Sequence, residues 1–137
     1  MAPLLWMLDT NTLSALIRGP SPALVQRLAA AGGESVCTSI VVACEMRYGV
    51  QRKGSAALTA RVEALLAEVT VLPFDGEADQ HYADIRCALE RAGTPVGSHD
   101  LLIAAHARSR GLVVVTHNVR EFKRVPGLQV EDWLQAA

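Results

Sequence analysis

The stretch Leu4-Leu5-Trp6-Met7-Leu8-Asp9-Thr10-Asn11-Thr12 decides the fold, because a run of apolar residues ends abruptly at a carboxylate. Consecutive large hydrophobes suit a strand buried on both faces, the usual state of a parallel sheet under helices. An acid just past such a strand lies at its carboxyl end, where open α/β sheets bind their ligands. A second continuous run, Leu112-Val113-Val114-Val115, also ends in polar residues, Thr116-His117-Asn118. If the two strands are parallel neighbours, both polar clusters open into one crevice.

Outward from these strands the punctuation is that of alternating strands and helices. Asn11 or Thr12 is placed to cap a short helix that Gly19-Pro20 ends, and Ser21-Pro22 opens the next. Ser35 to Thr38 leans toward strand, and Ser39 caps a helix from about Ile40 to Gln51. An amphipathic helix follows Gly54-Ser55 as far as Glu68, then a strand from Val69 to Leu72. Helices from about Gly76 to Arg91 and from His99 to Ser109, the latter capped by Ser98, precede the second apolar run. A short helix at Val119 to Phe122 and an edge strand at Leu128 to Val130 close the chain. This order predicts one α/β domain over residues 1–137, with right-handed crossovers onto a mostly parallel sheet.

Thirteen basic residues against fourteen acidic ones leave a net charge of −1, which gives no global push toward nucleic acid or membrane. The distribution is uneven. Arg47, Arg52, Lys53 and Arg61 lie in an acid-free segment, and Arg108, Arg110, Arg120, Lys123 and Arg124 are opposed by Glu121 alone. Cys37, Cys44 and Cys87 fit no zinc spacing and are read as reduced thiols of a cytosolic core. No apolar run approaches membrane length, so a soluble cytoplasmic protein is expected.

Three acids stand in apolar surroundings. Asp9 has a purely structural reading as a helix cap, and Asp100 one as a first-turn acid favoured by the helix macrodipole. Glu45 shares a helical face with Val41, Val42, Tyr48 and Gly49, where a carboxylate is costly unless paired or metal-bound. A partner such as Arg52 or Arg86 would serve if Glu45 lay on the rim. Together, three inward carboxylates from three elements raise one another's pKa unless a cation holds them. Oxygen donors without a His or Cys cage select Mg²⁺ or Mn²⁺, and such a centre supports phosphodiester hydrolysis without a covalent intermediate. No glycine-rich phosphate loop or Ser-His-Asp order is present. His81 and His106 are read as lying on helix surfaces, and His99 and His117 as neighbours of the site. Arg86 is placed to reach phosphate, or an acid such as Glu45 or Glu90.

At these residues the chain resembles the PIN-domain ribonucleases, and among them the VapC toxins of type II toxin–antitoxin pairs. The matching pieces are Met7 to Asn11, Ser39 to Gly49 with its central Glu45, Gly97 to Ala107 with Asp100, and Val115 to Phe122 followed by Val125-Pro126-Gly127-Leu128. The resemblance covers nearly the whole chain and implies a PIN-like three-layer α/β/α fold. It further implies Mg²⁺ (or Mn²⁺) bound by Asp9, Glu45 and Asp100, and cleavage of tRNA or another structured RNA. A homodimer and a VapB-like antitoxin seated in the active-site groove are implied too, with operator DNA reached only through the antitoxin. PIN domains often carry a fourth acid after the late strand. Here Asn118 occupies that place, and Glu121 could serve through water. Thr10, Asn11 and Thr116 are candidate supporting polar groups, and Arg47, Arg86 and Arg120 candidate RNA contacts.

Two rival readings follow from the same residues. A haloacid-dehalogenase-like phosphatase requires a second Asp where Asn11 stands. A catalytically silent PIN-like binding module would have no use for three acids, and metal titration discriminates it.

Overall fold

The computed structural model describes residues 3–135. Its centre is a five-stranded sheet in the order β3-β2-β1-β4-β5, with every pairing parallel. The strands are β1 (Trp6–Leu8), β2 (Val36–Ser39), β3 (Thr70–Leu72), β4 (Val113–Val115) and β5 (Val130–Glu131). Between β1 and β2 run α1 (Thr10–Arg18) and α2 (Pro22–Ala31), and between β2 and β3 run α3 (Ile40–Lys53) and α4 (Ala56–Glu68). Between β3 and β4 come α5 (Ala78–Ala92) and α6 (Ser98–Ser109), and α7 (Val119–Phe122) lies between β4 and β5. The architecture is the expected α/β one.

Burial explains why the strands lie where they do. Met7, Cys37, Val114 and Val115 are fully buried, and Leu8 almost so, so the centre of the sheet is covered on both faces. The quoted hydrophobic run is only partly strand, however. Leu5 is 45% exposed, although its backbone extends the ladder through Leu5 N–H to Ser35 O and Val113 N–H to Leu5 O. Thr38 donates its hydroxyl to Leu8 O at 2.7 Å, pinning β2 to β1 in the interior. Trp133, 1% exposed, closes the far edge by packing edge-on against Trp6 with ring centroids 5.6 Å apart.

The helices start and stop on local chemistry. Ser21, Ser39 and Ser55 cap α2, α3 and α4 by accepting from Leu24, Val41 and Leu58 N–H. Gly54 and Gly93 end α3 and α5 at φ of 68° and 71°, the left-handed region that glycine enters without steric cost. Several expectations need correction. Helix α1 is capped by Asp9, as its structural reading allows, and not by Asn11 or Thr12 two and three residues later, because Asp9 directly follows the strand and accepts from Thr10 N–H. Helix α6 is capped by Gly97, with Ser98 inside the helix and making no side-chain cap. Cys44 and Cys87 are exposed and only Cys37 is in the core, since the first two fall on outward helix faces. His106 is fully buried, not on a surface. Among the described residues no helix is long and apolar enough to cross a membrane.

Candidate metal and catalytic site

Strands β2 and β3 extend the sheet to one side of β1, and β4 and β5 to the other. The switch point therefore falls between β1 and β4, which pair as Leu8 with Val115. Crevices at such points, outside the carboxyl ends of the strands, bind ligands in open α/β sheets. Asp9 and Thr116 are the next residues on the two strands, so the expected meeting of the polar clusters is realised.

Asp9 is 3% exposed and serves two masters. Its Oδ1 accepts from Thr10 N–H at 2.7 Å, and its Oδ2 accepts from the Thr116 hydroxyl at 2.8 Å. Asn11 reaches the same Oδ2 at 3.4 Å and accepts from His117 N–H at 2.9 Å, locking the β4–α7 loop against α1. Burial pushes the Asp9 carboxyl above its ordinary range, the Thr116 and Thr10 hydrogen bonds pull it back, and the Glu121 charge raises it again.

Asp100 enters from the first turn of α6. Asn118 Nδ2 donates to its Oδ2 at 3.1 Å and to Glu121 Oε2 at 2.7 Å, so one amide holds two acids. Glu121 Oε1 in turn accepts from Gly97 N–H at the α6 cap. Desolvation, then the adjoining Glu121 carboxylate and the charge of Asp9, push Asp100 up to about 7. Glu121 moves the other way, held low chiefly by the Gly97 amide. Of the two carboxyls, Glu121 is thus the one favoured as a charge and Asp100 the one disfavoured.

Glu45 enters from α3. Its supposed apolar face is rotated: the core-facing residues are Val42, Ala43, Met46 and Val50, whereas Tyr48 is 66% exposed. Glu45 therefore stands at the edge of the buried stripe, its side chain 26% exposed and 3.9 Å from His99 Nδ1. Neither Arg52 nor Arg86 partners it. Its Oε1 and the nearby Thr10 hydroxyl are both buried without a hydrogen-bond partner among the described residues, and burial raises the Glu45 pKa, with the His99 charge and the proximity of Thr10 opposing and Asp9 adding to the rise. An orphaned carboxylate oxygen beside two other acids whose pKa values are also raised fits a divalent cation, which would satisfy it and relieve the repulsion. The donors share a crevice without closing on a point: among the described residues no three His, Cys, Asp or Glu side chains already form a metal-holding group.

The arginine candidates fare differently. Arg47 is committed to a two-pronged bond with Glu63 on the exposed α3–α4 surface, at 2.9 Å for each contact. Arg86 pairs with Glu90 and Tyr82 on α5, and Arg120 is exposed on α7. His117 lies at the crevice mouth with its ring on Asp132, 3.1 Å away. Two structural contacts were missed in the sequence, one of Thr38 and a second duty of the cap residue Ser39. Thr38 ties β2 to β1, and Ser39 Oγ lies 2.8 Å from His106 Nδ1, joining the start of α3 to the helix that carries Asp100. A Ser or Thr at the end of a strand that feeds a helix was the available signal, but its buried partner is remote in sequence.

Residues 6–128 match the PIN domain family model. The chain is 41% identical over 129 residues to the tRNA(fMet)-specific endonuclease VapC of Salmonella typhimurium, spanning 93% of this chain and 97% of that protein. Among solved structures, DNA-bound VapBC from Salmonella typhimurium superposes with a TM-score of 0.86 at 41% identity, covering 95% of this chain and 98% of that one. VapBC2 from Rickettsia felis, bound to a DNA fragment from its promoter, gives 0.87 at 28% identity over 95% and 99%. On the family match and this near full-length identity, the chain belongs to the PIN-domain family and, within it, to the VapC branch.

Proposed function

We propose that this chain, taken as one unit over residues 1–137, is the toxin of a VapBC-type pair: a divalent-metal-dependent endoribonuclease restrained by a VapB-like antitoxin. The observation that supports the reading is that Asp9, Glu45 and Asp100, from three separate elements, border one crevice at the switch point. Their mutual destabilisation as bare carboxylates, and the orphaned Oε1 of Glu45, supply the physical motive for a cation. Membership of the VapC branch supports RNA as the substrate and an antitoxin as the partner.

In this reading Asp9, Glu45 and Asp100 hold Mg²⁺ or Mn²⁺. Bound there, the ion would supply Lewis acidity toward a phosphoryl group and lower the pKa of water. The chain's own groups do the positioning. Thr116 and the Thr10 amide fix the Asp9 carboxylate, Asn118 fixes Asp100, and Glu121 anchors the start of α6 through Gly97. Asn118 occupies the place of a fourth acid as a hydrogen-bond donor, and Glu121 remains the nearby carboxylate able to act through water. The protein works as a homodimer and meets operator DNA only through its antitoxin. Initiator tRNA is the first substrate to try, because a relative at 41% identity is named for it.

The test is cleavage of initiator tRNA and of other structured RNAs by antitoxin-free protein with Mg²⁺ or Mn²⁺. Discrete cuts that vanish with EDTA and in Asp9→Asn and Asp100→Asn are expected. Cutting that survives both substitutions overturns the mechanism. The open spacing of the donors favours one rival, a catalytically silent module, and failure to bind either ion at millimolar concentration would select it.

A further inference from the structure

A cavity of about 260 Å³ opens between α5 and the first turn of α6, beside the acids but not among them. Its floor is apolar, with Leu89 and Leu101 buried and Val96 half-buried. Its rim carries Tyr82, Arg86 and Glu90. Arg86 donates from Nε to Glu90 Oε2 at 3.1 Å and from Nη1 to the Tyr82 hydroxyl at 3.0 Å, so one guanidinium braces both a carboxylate and an aromatic ring. An exposed i,i+4 pair contributes little to stability by itself. What sets this one apart is its place at the lip of a cavity.

Two further features tie the cavity to the site. Ser98, two residues before Asp100, forms part of its lining. Pro95 also lines it, and the Pro95 carbonyl accepts from Arg124 Nη1 at 3.0 Å, which holds a cation of the basic segment after β4 at the cavity mouth.

We propose that this cavity takes one unpaired guanine of the RNA substrate, next to the bond that is cut; the proposal rests on the ribonuclease reading above. The volume falls just below the range of pockets for drug-sized ligands, roughly 300 Å³ and up, and so suits a single planar ring system. Sequence-specific RNA recognition works on unstacked bases, laid against aromatic faces and bonded along their edges. Tyr82 supplies the ring, and Leu89, Val96 and Leu101 the apolar bed. The Glu90 carboxylate is acceptor-only and calls for a base edge with adjacent N–H donors. Guanine presents N1–H and the N2 amino group side by side, whereas the other bases place an acceptor against one of the carboxylate oxygens. The Arg86–Glu90 pair uses Oε2, so Oε1 lies outside it, and the guanidinium offsets the repulsion between Glu90 and the RNA backbone. Arg124 stands where a flanking phosphate would pass.

The experiment has two arms. In the first, RNA hairpins carrying G, A, C or U at each position flanking the cut are digested by wild type, Glu90→Gln and Tyr82→Ala with Mn²⁺. One position should show a guanine preference of about ten- to a hundredfold that Glu90→Gln abolishes, while cleavage of the non-guanine hairpins changes little. In the second, guanosine and adenosine are titrated into wild-type and Glu90→Gln protein, with contact read by NMR at Tyr82 and Ser98. Guanosine alone should shift both signals, and only in wild type. If wild type cuts no RNA, the ribonuclease reading fails, and the nucleoside arm still decides what the cavity holds. Equal shifts by both nucleosides, or a base preference untouched by Glu90→Gln, overturn the guanine site. A change of oligomeric mass in Tyr82→Ala with base preference intact would assign the cavity to a second copy of the chain and overturn it as well.

Discussion

At the scale of single residues, Asp9 shows how a structural and a chemical duty coexist in one side chain. Its Oδ1 caps α1 while its Oδ2 is held by Thr116. Asp9→Asn keeps a capping oxygen, so thermal unfolding should move little while RNA cleavage falls by about a hundredfold or more, as expected when a cation loses one of three carboxylates. Asn118 makes the converse case. It donates to two acids at once, and Asn118→Asp removes both donors and adds a third like charge. The metal-free variant should melt below wild type at pH 8, and Mn²⁺ should raise its melting temperature more than it raises wild type's. Equal gains in the two proteins would show that residue 118 does not face the ion.

At the scale of elements, the site depends on where α3 and α6 begin. Glu121 accepts from Gly97 N–H across the start of α6 and so fixes the helix that presents Asp100. Glu121→Ala should cost about 1 kcal/mol, the order of a partly exposed charged hydrogen bond, and weaken metal binding about tenfold or more. Denaturant titration and Mn²⁺ calorimetry read the two effects separately. Ile103, fully buried on the inner face of α6, has no chemical duty, and Ile103→Ala should cost about 2–5 kcal/mol. The Ser39–His106 contact joins the same two helices, and the buried imidazole is held below its usual pKa mainly by desolvation.

At the scale of the whole molecule, the raised carboxyls set how stability responds to pH. A carboxyl whose folded pKa lies above its unfolded one is fully accommodated below the unfolded value, near 3.8 for Asp, and is penalised as pH rises toward the folded value. Asp100, pushed up to about 7, sets the window, with Asp9 and Glu45 acting in the same direction. Metal-free protein should therefore lose stability between about pH 4 and pH 7, with His106, held below its ordinary 6.5, offsetting part of the loss, whereas Glu121, held below 4.5, has already made its contribution at the acid end of that window. Mg²⁺ or Mn²⁺ should raise the melting temperature more at pH 8 than at pH 5, because protons compete for the same oxygens. A metal-induced shift that does not change between those pH values would place the ion elsewhere.

The sequence alone determined the frame: two apolar runs ending in polar clusters, serine caps, glycine stops, and the acids Asp9, Glu45 and Asp100 in order. These are legible because strand burial, capping and helical periodicity are local, set by residues within a turn or two of one another. Local signals left the choice open where two groups compete for one duty, as with Asp9 and Asn11 for the cap of α1. They erred where a face must be assigned without its neighbour, as with the outward Tyr48 and the buried His106. Only the tertiary structure decided that β1 and β4 are adjacent, that Asn118 spans Asp100 and Glu121, and that Tyr82, Arg86 and Glu90 rim a cavity against α6. The physical reason is range. Contacts such as Thr116 with Asp9, or His106 with Ser39, join residues far apart in the chain, and no local preference encodes which distant partner the packed sheet will bring within hydrogen-bonding reach.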